Sequence, residues 1–235
     1  MSARALRTLL IFAREPNPLS AKTRLAPMFD GAQRVALYTA FLRDVADASR
    51  DADCDRRVVL WSPEEEPALL NDIFEGHELA SQRGPDLGSR ISHAFGDAFV
   101  APGASSVVLI GSDAPLLGGE AVREAWDMLD ERDIVLTPSH DGGYCLIGAR
   151  AEVSDVLPAL FLDMRWSESD VFAQTIHRIE TLIGCRPTTT CGILPMCYDI
   201  DTPQDVLRFE AHLHALDLAG QPLPQHTLAA LRSLR

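Results

Sequence analysis

The stretch that most constrains this chain is a short apolar run that stops at glycine and meets an acid and a proline. It reads Val107-Val108-Leu109-Ile110-Gly111-Ser112-Asp113-Ala114-Pro115-Leu116. Aliphatic residues in sequence, with no polar alternation, are the pattern of a strand buried on both faces of a sheet. Gly111 and Pro115 end the strand, which leaves Asp113 just past its carboxyl end. Open α/β sheets bind ligands at that edge. A carboxylate there can hold a divalent cation against phosphate oxygens. Asp-x-Pro is also a common turn start; what raises Asp113 above a turn residue is the rest of the chain.

The flanking sequence alternates strand and helix patterns. Leu9-Leu10-Ile11-Phe12 is a first strand, followed by a loop over residues 13–27 that holds three prolines and the cations Arg14, Lys22 and Arg24. Three cations on one long loop after a first strand suit a lid that clamps phosphates, Lys as a point charge and Arg as a fork. The glycines of a P-loop are absent. From Asp30, a candidate N-cap, Val35, Leu37, Tyr38, Phe41, Leu42 and Val45 recur at helical spacing. A second strand is expected over residues 56–61. An acidic helix is expected over 63–74, its first turn carrying Glu64, Glu65 and Glu66, and a weak third strand over 78–82. Gln82-Arg83-Gly84-Pro85-Asp86-Leu87-Gly88-Ser89-Arg90 then forms a loop able to bring backbone to a ligand, with Arg90 in the first turn of the next helix.

After Asp113 the pattern predicts a helix over 120–129 and a strand over 133–138. Asp141-Gly142-Gly143 is a tight turn into a strand over 144–147. Ser167 is a candidate N-cap for a helix over 171–182, with Asp170 three residues on. An edge strand is expected within 188–196, where Pro195 is tolerated. Asp199 and Asp201 alternate along extended chain and point to one side. One is expected to cap the helix that begins at Pro203, the other to face the site. A terminal helix is expected over 227–234. No repeat, linker or low-complexity stretch divides the sequence, so residues 1–235 read as a single domain.

Composition narrows the function classes. The formal net charge is −13, which argues against a general nucleic-acid binder and leaves room for a small anionic substrate held by local cations and metal. No apolar run has the length of a membrane span. The five cysteines, Cys54, Cys145, Cys185, Cys191 and Cys197, lack Cys-x-x-Cys spacing and read as reduced thiols of a cytoplasmic protein.

Six stretches, in order, resemble one family: Ala21-Lys22-Thr23-Arg24-Leu25-Ala26-Pro27; Gln82-x-Gly84-x-Asp86-Leu87-Gly88-x-Arg90; Gly111-Ser112-Asp113-Ala114-Pro115-Leu116; Asp141-Gly142-Gly143-Tyr144-x-Leu146-Ile147-Gly148; Trp166-Ser167; and Asp199-Ile200-Asp201-Thr202-Pro203. They resemble the GT-A-type transferases often labelled arsenosugar biosynthesis glycosyltransferases, within the nucleotide-diphospho-sugar transferase superfamily. The resemblance spans residues 8–210. Lys22-Thr23-Arg24-Leu25 and Asp141-Gly142-Gly143 are also similar to 2-phospholactate guanylyltransferases, and Asp199-Ile200-Asp201-Thr202-Pro203 to molybdenum-cofactor nucleotidyltransferases. The chain departs from most glycosyltransferases of this fold in carrying a single acid, Asp113, where they have Asp-x-Asp.

The resemblance implies an α/β fold: a GT-A (Rossmann-like) three-layer α/β/α sandwich around a mostly parallel mixed sheet. It implies a Mg²⁺- or Mn²⁺-dependent transferase that takes a nucleotide sugar and a small-molecule acceptor. Nucleotidyl transfer from a nucleoside triphosphate, with release of pyrophosphate, is the alternative, and an inactive nucleotide-binding module the second alternative. The implied metal ligands are Asp113, Asp199 and Asp201. Arg14, Lys22, Arg24, Gln82, Asp86, Arg90, Gly142 and Gly143 bind substrate, and Asp141 stands as the base for an acceptor hydroxyl in the glycosyl reading.

Overall fold

Each apolar run recognised in the sequence becomes a strand, and the strands of the described residues join one sheet. The structure is a computed structural model that describes residues 6–64, 66–100, 103–166 and 168–234. Its strands are β1 (Arg7–Ala13), β2 (Arg56–Trp61), β3 (Glu78–Ser81), β4 (Ser106–Gly111), β5 (Ile134–Pro138), β6 (Tyr144–Arg150) and β7 (Cys191–Ile193). They form a seven-stranded sheet in the order β3-β2-β1-β4-β6-β5-β7. β1 pairs parallel with β2 and β4, while β6 runs antiparallel between β4 and β5. The chain leaves β1 toward one sheet edge and returns at β4 to build toward the other. The crevice between the carboxyl ends of β1 and β4 is therefore the topological switch point.

Helices cover both faces. α1 (Gly31–Arg50), α4 (Gly119–Leu129), α7 (Pro203–Leu218) and α8 (Gln225–Ser233) share a core with the side of the sheet that presents Leu9, Ile11, Val108 and Ile110. α3 (Leu87–Val100), α5 (Leu157–Phe161) and α6 (Val171–Cys185) pack on the side that presents Leu10, Val107 and Leu109. Alternate residues of β1 and β4 thus enter opposite cores, the arrangement that unbroken apolar strands require. The mixed-sheet α/β/α architecture matches the expectation.

Local signals placed most helix starts. Asp30 caps α1 in a full capping box with Gln33. α6 begins at Val171 as expected; Ser167 lies outside the described residues, and Asp170 is engaged by Arg165 and Gln174 at 2.7 and 2.8 Å. Other elements differ. The acidic helix expected over 63–74 is reduced to α2 (Ala68–Ile73). Glu64 is drawn away to Ser62 and Arg90, and Glu15 reaches from the first loop to accept bonds from the amides of Leu69 and Leu70 at 2.7 and 3.2 Å. The acidic first turn is therefore not helical; Glu65 lies outside the described residues. Neither Asp199 nor Asp201 caps α7. Thr202 does so, in a capping box with Asp205.

The α8 cap comes from another helix. Asp44, buried on α1, accepts bonds from the amides of His226 and Thr227 at 3.0 and 2.7 Å and from the Thr227 hydroxyl at 2.5 Å. Replacing Asp44 by alanine leaves two amide donors and a buried hydroxyl without their acceptor. The Asp44→Ala protein is expected to lose ~2 kcal/mol in urea unfolding, with Asp44→Asn intermediate. Unchanged stability would show that α8 does not depend on this cap.

Candidate active site

The carboxyl ends of β1 and β4 open into a cavity of about 790 Å³. Arg14, Lys22 and Arg24 reach it from the loop after β1, and Asp113 from the loop after β4. Gln82, Asp86 and Arg90 enter beside α3, and Asp141 and Gly143 from the β5–β6 turn. Asp199 and Asp201 complete the lining from the segment before α7, and of the expected site residues only Gly142 is absent from the wall. The Ile200 amide donates to the Asp113 carbonyl at 3.0 Å, and Ile200 itself is buried. That bond fixes the 199–201 segment against β4 and turns both aspartates toward the cavity.

At the centre is Lys22. Its ammonium lies 2.6 Å from an Asp113 oxygen and 2.9 Å from Asp201, with the lysine side chain 5% exposed and the carboxylates 46% and 36% exposed. Burial alone would lower the lysine pKa, but the two carboxylates outweigh it and hold the ammonium well above the ordinary lysine value. Arg24 lies 3.7 Å from the other Asp201 oxygen and is mostly exposed. The loop is not a free lid. Arg34 on α1 pins it by donating to the carbonyls of Pro18, Ala21 and Phe29 at 2.9, 3.0 and 3.1 Å. A 3-10 turn at Thr23–Leu25 adds regular structure within it. The Arg14 amide donates to the Tyr38 hydroxyl at 3.1 Å, and that hydroxyl pairs with Ser112 at 2.9 Å. Burial and the charge of Asp113 push Tyr38 up to about 12, so it stays a phenol.

Asp199 sits deeper. Burial first and the neighbouring Asp113 charge second push its carboxyl up to about 7. The Cys145 thiol donates to it at 3.3 Å. A hydrogen bond with Cys197, burial and the charge of Asp199 all hold Cys145 protonated. All five cysteines are free.

The opposite end of the cavity is a polar network. Arg90 donates to Glu64 at 2.8 Å, to the Gly84 carbonyl at 3.1 Å and to Gln82 at 3.4 Å. Hydrogen bonds from Ser62 and Arg90 lower Glu64 to about 2. Asp86 is spent on the α3 start, where it accepts from the Ser89 amide and hydroxyl, both at 2.8 Å. Asp141 accepts from the Gly143 amide at 3.0 Å and shapes its own turn. Tyr144 and Trp166, 6.5 Å apart edge to face, form an apolar wall. Sequence reasoning missed Glu15, Tyr38 and Glu64: Glu15 and Glu64 lay among solvated charges, and Tyr38 read as a core residue.

Among the described residues, no group of three or more His, Cys, Asp or Glu side chains is arranged to hold a metal ion. Asp113 and Asp201 instead share one ammonium, and Asp199 is bonded to a thiol.

The sheet order and the β1/β4 site define the fold of the nucleotide-diphospho-sugar transferases. A Desulfovibrio desulfuricans G20 structure classed with those transferases superposes with a TM-score of 0.83 at 29% identity, covering 97% of this chain and 94% of the other. The chain belongs to the family described as "Uncharacterized protein conserved in bacteria (DUF2064)", whose model matches residues 45–168. It is homologous to guanylyltransferases. It is 33% identical over 138 residues to the 3-phospho-D-glycerate guanylyltransferase of Phenylobacterium zucineum, 57% of this chain and 63% of that protein. It is 32% identical over 126 residues to the 2-phospho-L-lactate guanylyltransferase of Methanothermobacter thermautotrophicus, 52% of this chain and 53% of that one. The matches thus span less than two thirds of these relatives' lengths. Fold alone is shared with the glucosyl-3-phosphoglycerate synthase of Mycobacterium tuberculosis in complex with Mn²⁺, UDP and glucosyl-3-phosphoglycerate. The TM-score there is 0.52 at 13% identity, covering 94% of this chain and 82% of the other. No helix among the described residues is long and apolar enough to cross a membrane.

Proposed function

We infer that this protein is a nucleotidyltransferase: it takes a nucleoside triphosphate, with guanine as the base its relatives' names support, and passes the nucleotidyl group to a small phosphorylated acid. The observation that carries the reading is the Arg14–Lys22–Arg24 loop folded onto Asp113 and Asp201 in one cavity. Cations supplied by one element and carboxylates by two others suit a polyphosphate with an accompanying divalent ion.

The donor set fits Mg²⁺ or Mn²⁺. Both prefer oxygen ligands, and Mg²⁺ commonly takes only one or two carboxylates beside substrate phosphates. Asp113 and Asp201 would supply them, with Asp199 behind. Such an ion, when bound, neutralises charge building on the phosphates. Lys22 and Arg24 hold the triphosphate, and Arg14 stands at the mouth of the same cleft. An oxygen of the acceptor's phosphate attacks the α-phosphorus; that P–O bond forms as the α–β anhydride breaks, and pyrophosphate leaves. The acceptor phosphate is already an anion, so no base is needed. This agrees with Asp141, whose carboxylate is engaged in its own turn. Tyr144, Trp166 and the Gly142-Gly143 turn would bound the acceptor.

A glycosyl-transfer reading draws on the D. desulfuricans structure, which resembles this chain along nearly its whole length. The two separate in one assay. With Mg²⁺, GTP and 3-phosphoglycerate or 2-phospholactate, acceptor-dependent pyrophosphate release is expected. Release of a nucleoside diphosphate from a sugar nucleotide, with no pyrophosphate from any triphosphate, would replace nucleotidyl with glycosyl transfer.

A further inference from the structure

Lys22 is the one lysine in the sequence; every other permanently cationic side chain is arginine. It stands at the most confined cationic position of the site, its ammonium between Asp113 and Asp201 and 5.4 and 5.8 Å from the ring centres of Phe41 and Tyr38. Its backbone is left-handed, with φ of 45°, a conformation a lysine keeps only where the surroundings enforce it. A planar guanidinium fork is a poor match for this space, whereas a compact ammonium acts as a point charge. A point charge shared by two carboxylates is also what a divalent ion would provide there.

We propose that Lys22 is an exchangeable resident cation of the site. In the free protein its ammonium neutralises Asp113 and Asp201. When a polyphosphate arrives with a divalent ion, the ammonium transfers to the phosphate oxygens and the carboxylates pass to the ion. A free ion must displace a tethered competitor and leave an ammonium buried without a partner. An ion arriving on a polyphosphate brings Lys22 a new anionic partner. The divalent ion therefore enters as its phosphate complex, and by linkage each component strengthens binding of the other. This rests on the metal-and-phosphate reading of the site, but not on the base or on the acceptor.

A single lysine makes the exchange visible without turnover. In full-length protein grown on ¹⁵N-lysine, the side-chain ammonium signal comes from Lys22 alone. Millimolar Mg²⁺ is expected to leave this resonance in place, whereas Mg²⁺ with inorganic tripolyphosphate or a non-hydrolysable GTP analogue shifts it. Lys22→Met is expected to bind Mn²⁺ alone, read by electron paramagnetic resonance, on the order of tenfold more tightly than the parent. The proposal is overturned if Mg²⁺ alone moves the signal, if Mg²⁺-tripolyphosphate leaves it unmoved, or if Lys22→Met binds Mn²⁺ no better. Should Lys22→Met fail to fold, the resonance of the unaltered chain decides. Pyrophosphate release in the assay above, with an unmoved Lys22 signal, would retain nucleotidyl transfer and remove only the exchange.

Discussion

An Asp113→Asn protein should fold like the parent and lose ~10²–10³-fold in kcat/KM for metal-dependent pyrophosphate release. The fold should survive because the Asp113 side chain is nearly half exposed and Lys22 keeps Asp201 as a partner. The Asp113 carbonyl, which accepts the Ile200 amide, is untouched by the substitution. Activity should fall because the amide keeps the shape and removes the charge. A neutral oxygen is a weak ligand for a divalent ion and a weak partner for Lys22. The melting temperature and the rate with GTP, Mg²⁺ and acceptor are the two readouts. Full metal-dependent turnover in a folded Asp113→Asn protein would remove Asp113 from the reaction. The loss is expected equally with a sugar-nucleotide donor, since both readings place phosphates at this carboxylate.

Gly142→Ala should cost about 3 kcal/mol of stability and most of the activity. Gly142 has φ of +92°, a region that favours glycine, and an added Cβ would overlap the Ser169 carbonyl. The Gly142 carbonyl also accepts the Phe172 amide at 2.7 Å, so the β5–β6 turn is clamped to the start of α6. Alanine must push these segments apart, carrying Asp141 with it. Gly143 is the internal control. Its nearest contact to an added Cβ is an Asp141 oxygen at 3.3 Å, and its φ is not in the left-handed region. Gly143→Ala should be much the milder in urea unfolding. Equal effects at the two positions would refute the clamp.

The 107–116 stretch set the frame from sequence alone. Its apolar run required a strand buried on both faces, and its Gly-x-Asp end put Asp113 at the ligand edge. Asp30 and the Leu37–Phe41–Val45 spacing likewise fixed α1, because caps and periodic burial are encoded within a few residues. The cations of the first loop and the acids of 199–201 were recognisable as residue types suited to phosphate and metal. Their meeting was not. Lys22 and Asp201 are far apart in sequence, and they touch because β1 and β4 are neighbours and the Ile200 amide docks on the Asp113 loop. No local pattern states which carboxylate an ammonium will choose.

Glu15 and Glu64 show the same divide. In sequence they are charges among solvated charges; in the fold one caps α2 and the other pairs with Arg90. The insertion of β6 between β4 and β5 was equally invisible: the tight turn at Asp141-Gly142-Gly143 marks β5 and β6 as antiparallel neighbours, but not which of the two lies beside β4. Sequence by itself determined which segments are buried, where they stop and what chemistry their ends carry, because burial and capping are local. Tertiary structure alone decided which of those ends share a cavity, because sheet order and register are set by packing summed over the whole chain.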